Sequence, residues 1–386
     1  MKTEKKPLSI YVHIPFCERK CLYCDFLSAP ADEELKQKYV SCLTEEIRQS
    51  STSFRAYEVQ TVFFGGGTPS ILPAEKIAAL LKEIRQDFAV NQDAEISIEV
   101  NPGSAEPKKL RSYADMGINR LSIGLQSAID EELTALGRIH SAEDFFETYK
   151  NAVKSGFNNI NVDLMSSIPG QTIKSYRKTL KRVLSLEPLP THISAYSLII
   201  EEGTPFYENT PELPDEETDR ELYKITNDIL KEAGYHRYEI SNYAREGYEC
   251  RHNKVYWKRG EYLGFGTGAA SLVDEVRFSN IRDINDYVKT RDFAKVRTDR
   301  QVLSVKEQME EFMFLGLRMI SGVSFGEFEK NFDKTMEEVY PGVINKLKNQ
   351  GLLKDVFDEK RNRTGVCLTQ LGLDVCNRVM AEFLFD

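Results

Sequence analysis

No stretch of this chain approaches the roughly 20 consecutive apolar residues that a membrane-spanning helix needs, and its mean hydropathy is −0.42. A membrane span is therefore not expected. Nor is there an excess of positive charge: 51 Lys and Arg stand against 60 Asp and Glu, a net charge of −9. That leaves no basic footprint for phosphate, so nucleic acid is not expected as a partner. There is no low-complexity tract and no internal repeat beyond a strand-helix unit. The cysteines number seven, an odd count with uneven placement, which excludes a disulfide-stapled scaffold. After the basic start Met1–Lys6, the apolar run Leu8–Phe16 is broken by His13 and Pro15 and leads into cysteines, not into a small-residue cleavage site. The reading is a cytoplasmic protein. What is present is ordinary for a folded chain: 386 residues, 41% apolar and 29% charged, enough for two or three domains at about 150 residues each.

Three of the cysteines, Cys17, Cys21 and Cys24, fall within eight residues, while Cys42, Cys250, Cys367 and Cys376 are scattered. Three thiolates on one short loop can turn toward a common point and suit a soft metal. Structural zinc normally closes its tetrahedron with four ligands, whereas a cubane held by three thiolates leaves one iron open. His13, four residues before Cys17, could complete a zinc set, and a chance grouping is the bland alternative. The scattered cysteines read as core or surface thiols, with Cys250 kept open because His252 follows it by two residues.

From Leu8 to about Ile200 short apolar runs alternate with longer amphipathic ones, the signature of strand-helix units around a parallel sheet. Strands are expected at Ser9–His13, Thr61–Phe64, Glu95–Val100, Arg120–Gly124, Asn159–Leu164 and His192–Leu198. Helices are expected at Asp32–Gln49, Ala74–Phe88, Ala105–Met116, Ala142–Lys154 and Ile173–Leu186. Pro73 suits a first helical turn, Ser141 through Asp144 a capping box, and Gly117 and Gly156 helix ends. Six such units make an α/β fold, a partial (β/α)6 TIM-like barrel, in preference to a closed eight-stranded barrel or a doubly wound sheet. Beyond it come an acidic helix start at Pro214–Glu217, a Tyr- and Gly-rich segment, Tyr235–Leu272, expected to be irregular, and a polar link, Asp283–Arg300. The helical stripe Met309, Phe312, Met313, Leu317 reads as the core of a smaller helix-rich C-terminal domain with a small hairpin. The domain reading is 1–205, 206–300 and 301–386.

Tyr11-Val12-His13-Ile14-Pro15-Phe16-Cys17, followed by Cys21 and Cys24, resembles the cluster loop of the radical S-adenosylmethionine (SAM) superfamily, and within it the oxygen-independent coproporphyrinogen dehydrogenase-like group that includes HemN and HemW. The resemblance spans nearly the whole chain, with a less specific match over the last eighty or so residues. It implies a barrel of the radical SAM type, a [4Fe-4S] cluster on Cys17, Cys21 and Cys24, and SAM on the open iron. A low-potential electron passed to the sulfonium would release methionine and a 5′-deoxyadenosyl radical. Gly65-Gly66-Gly67-Thr68-Pro69 ends the second strand and resembles the group's motif for the SAM amino group; taken alone, it is a tight turn. By the same resemblance Tyr11, Tyr23, Gly66, Gly67, Thr68, Glu99, Gln126, Arg138, Asp163 and Ala195 occupy SAM-binding positions. Independently of it, residues at the C-terminal ends of barrel strands share one mouth.

Two departures bear on the subfamily. Cys24 is followed by Asp25-Phe26, where coproporphyrinogen dehydrogenases usually carry a fourth cysteine, and sixteen residues precede Cys17, where those enzymes have a longer extension. Arg251-His252-Asn253-Lys254-Val255-Tyr256-Trp257 contains H-N-x-x-Y-W, the pattern of the HemW haem chaperones. The resemblance implies haem as cargo with His252 as its iron ligand, since a neutral imidazole ligates iron and aromatic faces stack on a macrocycle. A hydrogen-bonded interior cluster is the structural alternative for this stretch, and Cys250 a minor alternative ligand. The functional expectation is a haem chaperone delivering to respiratory haem proteins, with a low-potential electron donor, a possible homodimer and membrane contact only through a protein partner. The enzymatic alternative converts coproporphyrinogen propionates to vinyl groups. A third reading is radical chemistry on an unrelated small molecule.

Overall fold

The computed structural model describes residues 5–385. Twelve strands form one sheet in the order β12-β11-β10-β9-β1-β2-β3-β4-β5-β6-β8-β7. Its centre is β1 (Lys6–Ile14), β2 (Tyr57–Gly66), β3 (Val90–Val100), β4 (Arg120–Gln126), β5 (Ile160–Ser166) and β6 (His192–Ser197), paired in parallel and in sequence order. Consecutive order curls a parallel sheet toward a barrel; a doubly wound sheet would reverse direction at a switch point. The expected six-unit partial barrel of the radical SAM type is what is found. β7 (His236–Arg237), β8 (Asn242–Ala244), β9 (Tyr262–Phe265), β10 (Ala270–Val273), β11 (Val276–Asn280) and β12 (Arg297–Val302) extend it on both sides. β9 pairs with β1 in parallel, while β8 runs antiparallel to β6.

Alternation along the six strands explains both the core and the site. Ile10, Val12, Ile14, Val62, Phe64, Ile96, Ile98, Leu121, Ile123, Val162, Leu164 and Ile193 point one way into a single buried cluster. Against them pack α1 (Glu33–Ser50), α2 (Ala74–Asp87), α3 (Pro107–Asp115), α5 (Ala142–Lys154), α6 (Ile173–Val183) and α8 (Glu216–Glu232), whereas α4 (Asp130–Ala135) precedes Leu136, which joins Phe206 of α7 (Pro205–Glu208) in a smaller separate cluster. Truncating one such core aliphatic to Ala typically costs about 2–5 kcal/mol. The intervening positions, Ser9, Glu95, Ser97, Glu99, Arg120, Ser122, Asn161, Asp163 and His192, are polar and face the lumen. The Ser141–Asp144 capping box forms at the start of α5, and Gly117 and Gly156 take positive φ after α3 and α5. Pro73 is the residue that precedes the first helical turn of α2, not one within it.

Two expectations differ from the fold. The Tyr235–Leu272 segment is regular over much of its length, carrying β7, β8, β9 and the helix α9 (Arg251–Trp257). Asp283–Arg300 is no simple link: it holds the helix Ile284–Lys289, packed against α1, and the start of β12 at the sheet edge. Beyond it, Met309, Met313, Leu317 and Phe328 centre a second core with Phe312 packed on it, and β13 (Val323–Ser324), β14 (Leu353–Phe357) and β15 (Arg363–Leu368) form the small antiparallel sheet. No helix among the described residues is long and apolar enough to cross a membrane.

Candidate functional site

The loop between β1 and α1 carries Cys17, Cys21 and Cys24, all free of disulfides. Backbone bonds hold it: Cys17 N–H donates to the Ala29 carbonyl (3.2 Å) and Leu22 N–H to the Leu136 carbonyl (3.1 Å). The Gly65-Gly66-Gly67-Thr68 turn lies directly beneath, with Gly67 N–H on the Ile14 carbonyl (2.9 Å) and Thr68 N–H on the Phe16 carbonyl (2.7 Å). A Cβ on Gly67 would stand 2.5 Å from the Phe16 oxygen, and one on Gly66, whose φ is +117°, 2.6 Å from the His13 ring. Glycine is needed here because two backbones and a buried ring share the space.

Arg138 joins the loop to the strand ends. Its Nη2 donates to Asn101 Oδ1 (3.0 Å) and the Gly124 carbonyl (3.1 Å), its Nη1 approaches Cys21 Sγ at 3.6 Å, and its buried Nε has no partner among the described residues. Asn101 also donates to Thr68 Oγ1 (2.8 Å). A cleft of about 280 Å³ opens beside them, lined by Cys21, Thr68, Asn101, Arg138 and His140. Burial pushes the Cys17 and Cys24 thiols up, and the charge of Cys21 adds to both.

Deeper in the mouth, Glu99 accepts the Gly66 N–H (3.1 Å), and its carboxyl is pushed up to about 8 by burial and then by Asp163. Burial raises Asp163 as well, against hydrogen bonds from Asn161, Ser194 and Ser122. Two buried carboxylates in mutual reach are costly, and the buried Arg120 guanidinium, which lowers both, leaves them raised all the same. Tyr196 donates to Gln126 Oε1 (3.0 Å), Gln126 itself holding φ at +67°, and Tyr196 feels the charges of Asp163, Tyr23, Arg138 and Glu99. Burial raises the Tyr23 hydroxyl beside Arg138 and, most strongly, that of Tyr11, which also feels Glu99.

Tyr11, Tyr23, Gly66, Gly67, Thr68, Glu99, Gln126, Arg138 and Asp163 thus surround one mouth with the cysteine loop. Ala195 differs: it alternates with Ser194 and Tyr196, and its side chain packs on the apolar core, leaving its backbone at the sheet surface. Tyr196 and Asn101 escaped sequence reasoning. Asn101 lies inside the Glu99-Val100-Asn101-Pro102 stretch and was findable there; Tyr196 gave no signal beyond its alternation with Ala195. His13 has Tyr11 Oη at 3.1 Å from Nδ1 and the Leu27 carbonyl at 2.8 Å from Nε2, so both ring nitrogens are engaged apart from the cysteines. Among the described residues no three His, Cys, Asp or Glu side chains stand ready as ligands of a single metal ion. The chemistry of the donor set fits a cubane cluster, which spaces its thiolates more widely than a lone ion does.

His252 lies deeper in the lumen, its ring centre 6.4 Å from that of Tyr11. Glu95, four residues before Glu99 and so ~13 Å down β3, receives the N–H groups of Arg251 (3.1 Å) and His252 (3.0 Å) at the start of α9. Thr61 Oγ1 lies 2.7 Å from His252 Nδ1 and Tyr256 Oη 2.9 Å from Nε2, with the rings of Tyr11 and Phe63 close by. The side chain is 1% exposed, and burial brings its imidazole down to about 3. The helix is a plug under the barrel, and His252 is its interior face. Cys250, wholly buried, has its Sγ 3.7 Å from a Glu95 oxygen.

Residues 11–183 match the model of the radical SAM superfamily and residues 303–375 that of the HemN C-terminal domain. The chain is 36% identical to the heme chaperone HemW of Lactococcus lactis, over 99% of this chain and 98% of that protein. It is 34% identical to the heme chaperone HemW of Bacillus subtilis, over 97% and 99%. The solved structure of coproporphyrinogen III oxidase (HemN) from Escherichia coli, a radical SAM enzyme, superposes with a TM-score of 0.85 at 25% identity, over 99% of this chain and 91% of that one. Barrel, cysteine loop, C-terminal domain and near-full-length identity lead to one conclusion: the chain belongs to the HemW family of the radical SAM superfamily.

Proposed function

We propose that this protein is a haem carrier that also binds SAM on a [4Fe-4S] cluster held by Cys17, Cys21 and Cys24. The observation that supports it best is the convergence of the free-thiol loop, the unpaired Arg138 Nε and the Glu99–Asp163 pair on one mouth, in a chain so like the two haem chaperones. Cluster and SAM are the cofactors that radical SAM membership implies. When bound, the cluster supplies a low-potential electron to the SAM sulfonium. This chain's part is to bind and orient. Glu99 and Asp163 offer negative charge to a cationic ligand, Arg138 offers its free Nε–H to a carboxylate, and Gly66, Gly67 and Thr68 let a ligand approach the backbone. Tyr11, Tyr23, Gln126 and the Ala195 backbone complete the wall. Replacing any one of Cys17, Cys21 or Cys24 by Ser is expected to leave reconstituted protein without its four irons per chain, measured by iron content and visible absorbance, because a hydroxyl is a poor soft-metal ligand.

His252 is proposed as the haem iron's ligand in a form in which α9 has lifted from the barrel. The imidazole is neutral, as a ligand must be, and Thr61 and Tyr256 occupy both its nitrogens while the plug is seated. Delivery to respiratory haem proteins, a reducing partner, dimerisation and cytoplasmic residence with membrane contact through a protein partner belong to the same proposal.

A second reading, oxidative decarboxylation of coproporphyrinogen, draws on the whole-length likeness to the HemN structure. One experiment separates them: anaerobic haem titration of reconstituted wild-type and His252→Ala protein, followed at the Soret band, with a coproporphyrinogen turnover assay on the same samples. Stoichiometric haem binding that His252→Ala weakens, with a changed Soret band and without turnover, supports the carrier with its proposed ligand. Turnover with indifferent haem binding overturns it.

A further inference from the structure

α9 has a second face. Trp257 is five residues beyond His252, about 140° around the helix at 3.6 residues per turn, so it points away from the lumen. There it lines a cavity of about 450 Å³, larger than the mouth cleft, closed on the far side by Phe312, Met319 and Val323 and rimmed by Lys258 and Lys330. Met319 packs against Trp257 and Tyr238, and Ile320 N–H donates to the Tyr238 carbonyl (3.0 Å), so the barrel and the C-terminal core share this space. Gly316 and Gly365 contribute walls without side chains.

Two buried donors at this place lack acceptors. Among the described residues Trp257 Nε1 has none, and neither has Nε of Arg318, whose guanidinium lies 4.5 Å from the Trp257 ring centre. The site therefore combines an aromatic and thioether floor, side-chain-free walls, the unfilled Trp257 donor and two lysines, Lys258 and Lys330, against one lining carboxylate, Glu327, with Arg318 behind the indole. That chemistry is complementary to a flat, apolar ring bearing acidic arms.

We infer that this cavity is a docking bed for a dicarboxylate tetrapyrrole, which enters edge-first over Trp257 and Met319 and sets its carboxylates against Lys258 and Lys330. The inference rests on the carrier reading and adds to it a place for the cargo's ring that does not require α9 to leave the barrel. A cavity of this volume takes part of the macrocycle and leaves the rest at the rim.

Trp257 is the chain's single tryptophan, so its fluorescence reports directly on ligands in the bed. Metal-free protoporphyrin is the probe, because without iron no axial bond contributes and the bed alone is measured. Titrated into the full-length protein, it should quench Trp257 saturably at one ring per chain. Lys258→Glu combined with Lys330→Glu should raise the Kd tenfold or more, as should Ser321→Phe, an exposed position at the cavity mouth. The dimethyl ester should bind the wild type as weakly as the acid binds the double variant. Lys178→Glu with Lys181→Glu on the exposed side of α6 makes the same net-charge change and should leave binding unaltered. If wild-type protein takes up haem while both cavity variants bind protoporphyrin and haem as the wild type does, the bed is refuted and the carrier stands. If the wild type binds neither haem nor protoporphyrin, the carrier reading falls and takes the bed with it.

Discussion

At the scale of single residues, Glu99 carries the most informative tension. In the folded, ligand-free chain its carboxyl titrates near 8, whereas an unfolded glutamate titrates near 4.5. Between those values the folded state holds the extra proton, so this group's contribution to stability declines as pH rises from about 4.5 and stops declining above about 8. Glu99→Gln keeps a neutral amide throughout. Its advantage over the wild type in urea unfolding is expected to widen from pH 5 to pH 8 and then level, reaching on the order of a few kcal/mol. The same variant should bind SAM more weakly, since it has given up the charge a cationic ligand would meet. A flat difference across pH, measured on ligand-free protein, would remove Glu99 from this role.

At the scale of elements, α9 shows what a sequence pattern conceals. The six strands were legible because their helix-facing side is almost wholly Ile, Val, Leu and Phe while the lumen side is polar, a period of two that needs no distant information. The seven residues of α9 have no such period. Their helix exists because Glu95, more than 150 residues earlier, receives the N–H groups of Arg251 and His252, and because Thr61 and Tyr256 hold the imidazole. His252 titrates near 3 in the fold and near 6.5 when unfolded. This depressed value stabilises the plug fully above about pH 6.5, and the stabilisation is lost as pH falls toward 3. His252→Ala also orphans the Tyr256 hydroxyl, at about 1–3 kcal/mol for a buried unsatisfied group, while Thr61 keeps its bond to Ser9. Hydrogen exchange at residues 251–257 should therefore show a lower opening free energy in His252→Ala at neutral pH, with the difference from the wild type shrinking in acid. Thr61→Val, which removes one partner only, should fall between the two. Equal protection in all three proteins would mean that His252 does not seat the helix.

For the whole molecule, the junction between barrel and C-terminal core is decided by few residues. Glu311, on the helix Val305–Gly316, is nearly buried and receives Arg259 Nε (3.0 Å) and Arg277 Nη1 (2.7 Å), the latter from β11. Removing the shared anion leaves Arg259 with the more exposed Glu275 and takes from Arg277 its carboxylate. Glu311→Gln is expected to destabilise the junction by about 1–3 kcal/mol, allowing for the partial exposure of Arg277. Thermal unfolding should then broaden or split, and limited proteolysis near residues 290–304 should speed up. A single sharp transition at the wild-type temperature would show that the apolar contacts alone hold the parts together. Because the cavity beside Trp257 spans this same junction, Glu311→Gln should also loosen protoporphyrin binding.

The sequence by itself determined the parallel barrel, the cysteine loop and its glycine turn, and the family, because those depend on local alternation and on residues adjacent in the chain. It also carried the polar ends of β3, β4 and β5, since strand ends in a barrel must share a mouth. Tertiary structure alone decided that Tyr196 sits among the site residues, that the Ala195 side chain turns into the core, and that His252 is walled in while Trp257 faces a cavity. Each of these depends on which distant element arrives at a given face: a strand pattern tells a residue's side, but only packing tells what stands opposite it.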